Sequence, residues 1–208
     1  MNVSSLTHFV ATLLSIAGLS VLVTLAAIKG TAMHVVSFSI FGGALILLYL
    51  ASALYHFIPH DHPQKDFFQI IDHSMVYVLI AGTYTPLALI VLEPAWGWSI
   101  FGVIWGLALT GIITKSLHLR VPGLVSTFFY LLMGWLIIIA FSPLREALSQ
   151  EGILWLVLGG LFYTIGTIFF ALKENPFRER WYTYHDIFHI FIMLGSLSHF
   201  WFMLKFVL

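Results

Sequence analysis

The chain has 208 residues, 60% of them hydrophobic and only 9% charged, and its formal net charge is zero. A soluble domain carries about 25% charged residues to hydrate its surface, so this composition excludes a water-soluble globule and points to lipid, while zero net charge offers nothing to nucleic acid. There is no cysteine, which removes thiolate metal sites, thiol nucleophiles and disulfides, and ten histidines are left as the main chemical clue.

A membrane-spanning helix needs about 20 mostly apolar residues. The apolar runs predict seven such helices, over roughly 6–28, 33–57, 67–92, 97–114, 123–141, 152–172 and 184–206, forming one all-α transmembrane bundle across 1–208. Strands are not expected, because an open sheet leaves backbone groups unsatisfied in lipid. The first segment, MNVSSLTHF, has no Lys or Arg, and the apolar run behind it is too long for a signal peptide. It reads as a retained first span. The second span ends in SALYH, and a wet loop, PHDHPQKD, carries His60 and His62.

The third span opens with Asp72 and His73, and Pro86 is expected to kink it. Gly102, Gly106 and Gly111 on the fourth span, and Gly159, Gly160 and Gly166 on the sixth, form small-residue ridges suited to close helix packing. A connection from Ser142 to Glu151 follows the fifth span. Before the seventh, KENPFRERWY combines basic residues with Trp181, Tyr182 and Tyr184, a mixture that anchors a chain at the interface and could also meet phosphate headgroups.

Lys and Arg counts set the orientation. The side shared by the N-terminus and loops 2–3, 4–5 and 6–7 holds Lys65, Lys115, Arg120, Lys173, Arg178 and Arg180, against Lys29, Arg145 and Lys205 on the other. A cytoplasmic N-terminus and an external C-terminus are therefore predicted, in a multi-pass protein of a cell membrane.

Ionisable groups inside a bilayer are costly and mark candidate sites. His185 and His189 are one helical turn apart and lie on one face, within about 6 Å, a spacing that allows one metal ion or simple hydrogen bonding between helices. Asp186 is offset by about 100° and is expected to point elsewhere, to a neighbouring helix or the interface. The alternation of spans brings His56, at the end of the second, Asp72, at the start of the third, and His185 and His189, at the start of the seventh, to one depth. Three neutral imidazoles and a water suit tetrahedral zinc with an exchangeable position, beside which Asp72 could serve as general base and Ser52, one turn before His56, as a hydrogen-bonding partner. Iron or manganese would accept the same donors.

The other histidines are expected to do less. His199 lies about 15–20 Å deeper than His185 and reads as a packing or hydrogen-bonding residue; His73 reads as core. His8, His34 and His118 lie near the interfaces, where imidazole is common.

The segments SALYH, IDHS with GTYTP beyond it, and HDIFH followed by SHF resemble the hemolysin III-like branch of the progestin and adipoQ receptor family, itself grouped with alkaline ceramidases among seven-span metallohydrolases. The likeness covers essentially the whole chain. It implies zinc held by His56, His185 and His189, a water near Asp72, and Ser52 in the surroundings of the site. The eukaryotic receptors of that family carry a long cytoplasmic N-terminal region, which these residues do not match, so hormone sensing is not carried over. Three functions are open at this stage. One is zinc-dependent hydrolysis of a lipid-like amide or ester, connected with membrane homeostasis. Another is a non-enzymatic sensor or regulator stapled by zinc. The third is a cytolytic pore, which would need a polar track along the spans rather than polar groups at one depth. Membrane lipids are the expected surroundings, and no protein partner is indicated.

Overall fold

Long apolar runs have one economical solution in lipid, a helix whose backbone groups satisfy one another. A computed structural model describes residues 3–117, 122–172 and 183–208, and among these there is no strand. His118, Arg120, Lys173, Arg178, Arg180, Trp181 and Tyr182 lie outside the described residues, as do most of the two loops that carry them.

The described helices, in chain order, are α1 (Val3–Lys29), α2 (Ala32–Phe57), α3 (Lys65–Pro86), α4 (Pro94–Ser116), α5 (Gly123–Trp135), α6 (Phe141–Ala147), α7 (Gln150–Ala171) and α8 (Tyr184–Phe202). They make seven membrane-spanning units, the fifth running from Gly123 to Ala147 through both α5 and α6. Side chains such as Leu14, Ile28, Leu124 and Ile139 stand exposed on the outside of the bundle, the distribution expected of a protein solvated by lipid tails. The chain is therefore an all-helical, seven-span membrane protein.

Boundaries differ from the sequence reading mainly at the interfaces. Lys65 already belongs to α3, and its ammonium folds back over the Tyr55 ring, 4.0 Å from the centroid. It donates to the carbonyls of Tyr55 and Ile58, closing the open C-terminal end of α2. The expected connection from Ser142 to Glu151 shrinks to Leu148 and Ser149, because the Ser149 hydroxyl caps α7 by accepting from Gly152 N–H at 3.2 Å.

Two spans change helical pitch midway. Pro86 has no N–H to give, and α3 widens directly after it into a π-helical turn over Leu87–Val91, with Leu92 N–H reaching back to Leu87. The fifth span tightens into a 3₁₀ stretch at Leu136–Ala140. One buried hydroxyl holds that break. Tyr84 lies 2.9 Å from the carbonyls of both Met133 and Gly134, and it accepts the Ile137 N–H at 2.8 Å.

The glycine ridges divide in two. A Cβ at Gly111 would meet the Tyr77 ring at 2.5 Å, and one at Gly159 would meet the His199 ring at 2.3 Å, so these two positions allow the close approach expected of them. Gly102 and Gly106 have open space where a Cβ would stand. The packing expected at those two positions is not made, because that face of α4 turns away from the rest of the chain.

Candidate metal centre

The site lies at one end of the bundle, where α2 finishes and α1, α3 and α8 begin. His56 stands in the last turn of α2, Asp72 two turns into α3, and His185 and His189 in the first two turns of α8. A capping box starts α8: the Thr183 hydroxyl accepts from Asp186 N–H, and the Asp186 carboxylate accepts from Thr183 N–H at 2.7 Å and from its hydroxyl at 2.8 Å. The other carboxylate oxygen accepts from the Ser4 hydroxyl of α1. Asp186 thus points to a neighbouring helix, as its angular offset requires, and fixes the turn that carries both histidines.

His56, His185 and His189 bring their ring nitrogens within 4.8 Å of one another, and the Nε2 atoms of His56 and His185 are 3.0 Å apart. His189 is buried, 1% exposed, and its Nδ1 has no hydrogen-bond partner among the described residues. A tetrahedral ion with bonds of about 2.0–2.1 Å holds its nitrogens about 3.4 Å apart. The separations here, 3.0 Å for one pair and no more than 4.8 Å within the group, bracket that spacing. The residues therefore fit a metal ion, and the group of three could hold one.

Around the cluster lies a cavity of about 150 Å³ with mostly apolar walls, including Leu48, Val76, Leu79, Ile80, Phe170 and Phe188. Polar side chains interrupt these walls, among them Thr83, Tyr130 and Thr167. Ser52, buried on α2, stands beside the Asp72 carboxyl, and both open onto the cavity. All five residues singled out from the sequence thus gather at one end of the bundle, with His189, His185, Asp72 and Ser52 lining a common space.

His73 also lines the cavity but stands apart from the three-imidazole group, with its ring edge toward Phe170. His62 is exposed and accepts from the Gln64 N–H, and His34 completes a cap with Thr31; both stay near the surface. His199 sits deeper, stacked on Tyr163 and hydrogen-bonded to the Gly195 carbonyl at 2.8 Å. Beside it a polar cluster joins three spans: the Ser196 hydroxyl meets Tyr49 at 2.7 Å and Tyr163 at 2.9 Å.

His8 corrects the sequence reading. Expected at the interface, it is only 3% exposed and stacks on His189 with ring centroids 3.7 Å apart. The signal was present along α1: Ser4, His8, Ala11 and Ser15 follow one another at helical spacing and are all buried. A single histidine in an apolar run hid a polar stripe that faces the bundle.

The family model described as "Haemolysin-III related" matches residues 2–200. A hemolysin-3 homolog of Bacillus subtilis (strain 168) is 46% identical over 95% of this chain and 89% of its own length. Hemolysin-3 of Bacillus cereus is 43% identical over 99% and 90%. The human monocyte to macrophage differentiation factor is more distant, at 29% identity over 81% of this chain and 69% of its own. With seven apolar spans and these relatives, the chain is a multi-pass protein of the bacterial cell membrane, and it belongs to the haemolysin-III related family.

Proposed function

We propose that the protein is a zinc-dependent hydrolase of a lipid-like amide or ester. The observation that carries this reading is the meeting of three imidazoles, a carboxyl and a hydroxyl around one mostly apolar cavity. His56, His185 and His189 would hold the ion. Zinc, when bound, supplies Lewis acidity and a water of lowered pKa.

The chain's own residues do the rest. The apolar wall takes the hydrocarbon part of the substrate and leaves its carbonyl at the polar end. Asp72 accepts a proton from the attacking water and returns it to the departing nitrogen or oxygen, so that the C–N or C–O bond breaks to give a carboxylic acid, which keeps the water's second proton, with an amine or alcohol. Ser52 orients the Asp72 carboxyl. The reading also takes the N-terminus as cytoplasmic, which puts the reacting carbonyl in the cytoplasmic leaflet.

The test is a pair of measurements on detergent-purified protein. One zinc per chain is expected by mass spectrometry, lost in His56→Ala and in His189→Ala. Asp72→Asn should keep the zinc and lower turnover of lipid amides or esters by about 10²–10⁴-fold. Turnover unchanged by that substitution removes Asp72 from the mechanism, and wild type that takes up no metal removes the hydrolase.

A second reading is favoured by the origin of the three imidazoles, which come from the second and seventh spans. An ion there would staple distant parts of the chain in a non-enzymatic sensor or regulator. Stability that falls on chelation, with no turnover of any amide or ester, would select it.

A further inference from the structure

The first span enters the site through one side chain. His8 lies flat on His189, its plane 11° from parallel, and the edge of the same ring system meets Tyr49 at 5.0 Å between centroids. Among the described residues neither of its ring nitrogens has a partner in full hydrogen-bond geometry, although the His189 backbone lies close by. The ring lines the same cavity as Ser52 and Asp72.

Packing does not account for an imidazole here. A phenyl ring would stack on His189 and fill the same space, without burying two polar atoms that make no full hydrogen bond. Nor does joining the three metal-binding candidates account for it. Lone pairs of an imidazole lie in the ring plane, and two stacked rings in nearly parallel planes cannot both direct a nitrogen at one ion. His8 accordingly stands outside the group of three. What remains is a partner that enters the cavity from outside the chain.

We propose that His8 is a substrate-contacting residue. One ring nitrogen hydrogen-bonds a polar head-group atom of the lipid-like amide or ester, beside the carbonyl that is attacked, while the face of the ring holds His189 in place. The inference rests on the hydrolase reading and adds a contact from the first span to it.

Wild type, His8→Phe and His8→Gln are compared in detergent. The probes are an N-acyl amino-alcohol amide and its ester counterpart, each with a fluorescent acyl chain. Metal per chain, melting temperature, and probe affinity in metal-loaded and metal-stripped protein are measured. His8→Phe should keep its metal and melt at the wild-type temperature or higher, yet bind the probe about tenfold more weakly with or without metal, the loss expected for one hydrogen bond. His8→Gln, which keeps a donor and an acceptor, should stay within about threefold of wild type.

Metal lost from His8→Phe would make His8 part of the ion's surroundings and overturn the proposal. A lower melting temperature with unchanged probe affinity would make the nitrogens structural and overturn it too. If wild type and His8→Phe bind and cleave equally well, the His8 contact alone falls. If wild type neither binds nor cleaves either probe, the hydrolase reading falls and takes the contact with it.

Discussion

Asp186 shows how much one side chain can do near the site without facing the cavity. Its carboxylate collects the Ser4 hydroxyl, the Thr183 hydroxyl and the Thr183 N–H, and no cation is among those partners. Hydrogen bonds to a charged acceptor are worth about 1.5–3 kcal/mol. Ser4→Ala removes the one that crosses from α1 to α8, so we expect about 1–2 kcal/mol of lost stability, seen as a lower melting temperature in detergent with metal content unchanged. A melting temperature equal to wild type would show that the crossing bond is replaced by water.

The same residue marks what the sequence can and cannot tell. His56, His185, His189, Asp72 and Ser52 were legible because span alternation fixes depth, and a 3.6-residue period fixes which residues share a face. Asp186 could be assigned away from the pair for the same reason. Its partner could not be named, since no rule of spacing says which helix stands beside α8. His8 was misplaced because its position in the chain suggests the interface, whereas the stripe it shares with Ser4, Ala11 and Ser15 turns into the bundle.

Among the helices, small residues and a single tyrosine decide how closely the spans approach. Gly159→Ala puts a methyl group into the His199 ring. Separation of α7 from α8 should follow, with a loss of about 1–3 kcal/mol. Gly102→Ala meets nothing and should be neutral or slightly stabilising, since alanine favours helix. Thermal denaturation of the two variants side by side checks the pair; equal losses would mean that α4 packs through Gly102 after all.

Sequence pattern gave the number of spans but not their interruptions. Pro86 announced a disturbance in α3, whereas nothing in Trp135 to Ala140 announces the tightened pitch of the fifth span. It arises because Tyr84, on another helix, satisfies the backbone groups left over there. The extra helix from Phe141 to Ala147 was missed because Ser142, Pro143 and Arg145 read as a loop by composition.

At the scale of the whole molecule, orientation and metal are open to direct measurement, helped by the absence of native cysteine. Asp61 lies in the exposed loop before α3 and Glu93 in the exposed turn before α4, on opposite ends of the third span. With a cytoplasmic N-terminus, Glu93→Cys should react with an impermeant maleimide on intact cells, and Asp61→Cys only after lysis. The reverse pattern would turn the bundle over and put the site at the external leaflet. Stripping the metal should lower the melting temperature, because an ion that binds only the folded chain stabilises it by mass action. A melting temperature indifferent to chelation would mean that the three histidines hold their places by packing alone.

The contact between Ser4 and Asp186 joins residues 182 positions apart, and that between His56 and His185 spans 129. A ribosome delivers this chain to the membrane from one end, so the first six spans enter the bilayer before the seventh exists. During that interval α2 already covers part of the polar stripe on α1, with Tyr49 against His8 and Ala53 accepting from Ser5, but His8 and Ser4 have neither His189 nor Asp186 to meet. The site is therefore completed only when the seventh span arrives, and until then His8 and Ser4 lack the two partners that tie α1 to α8.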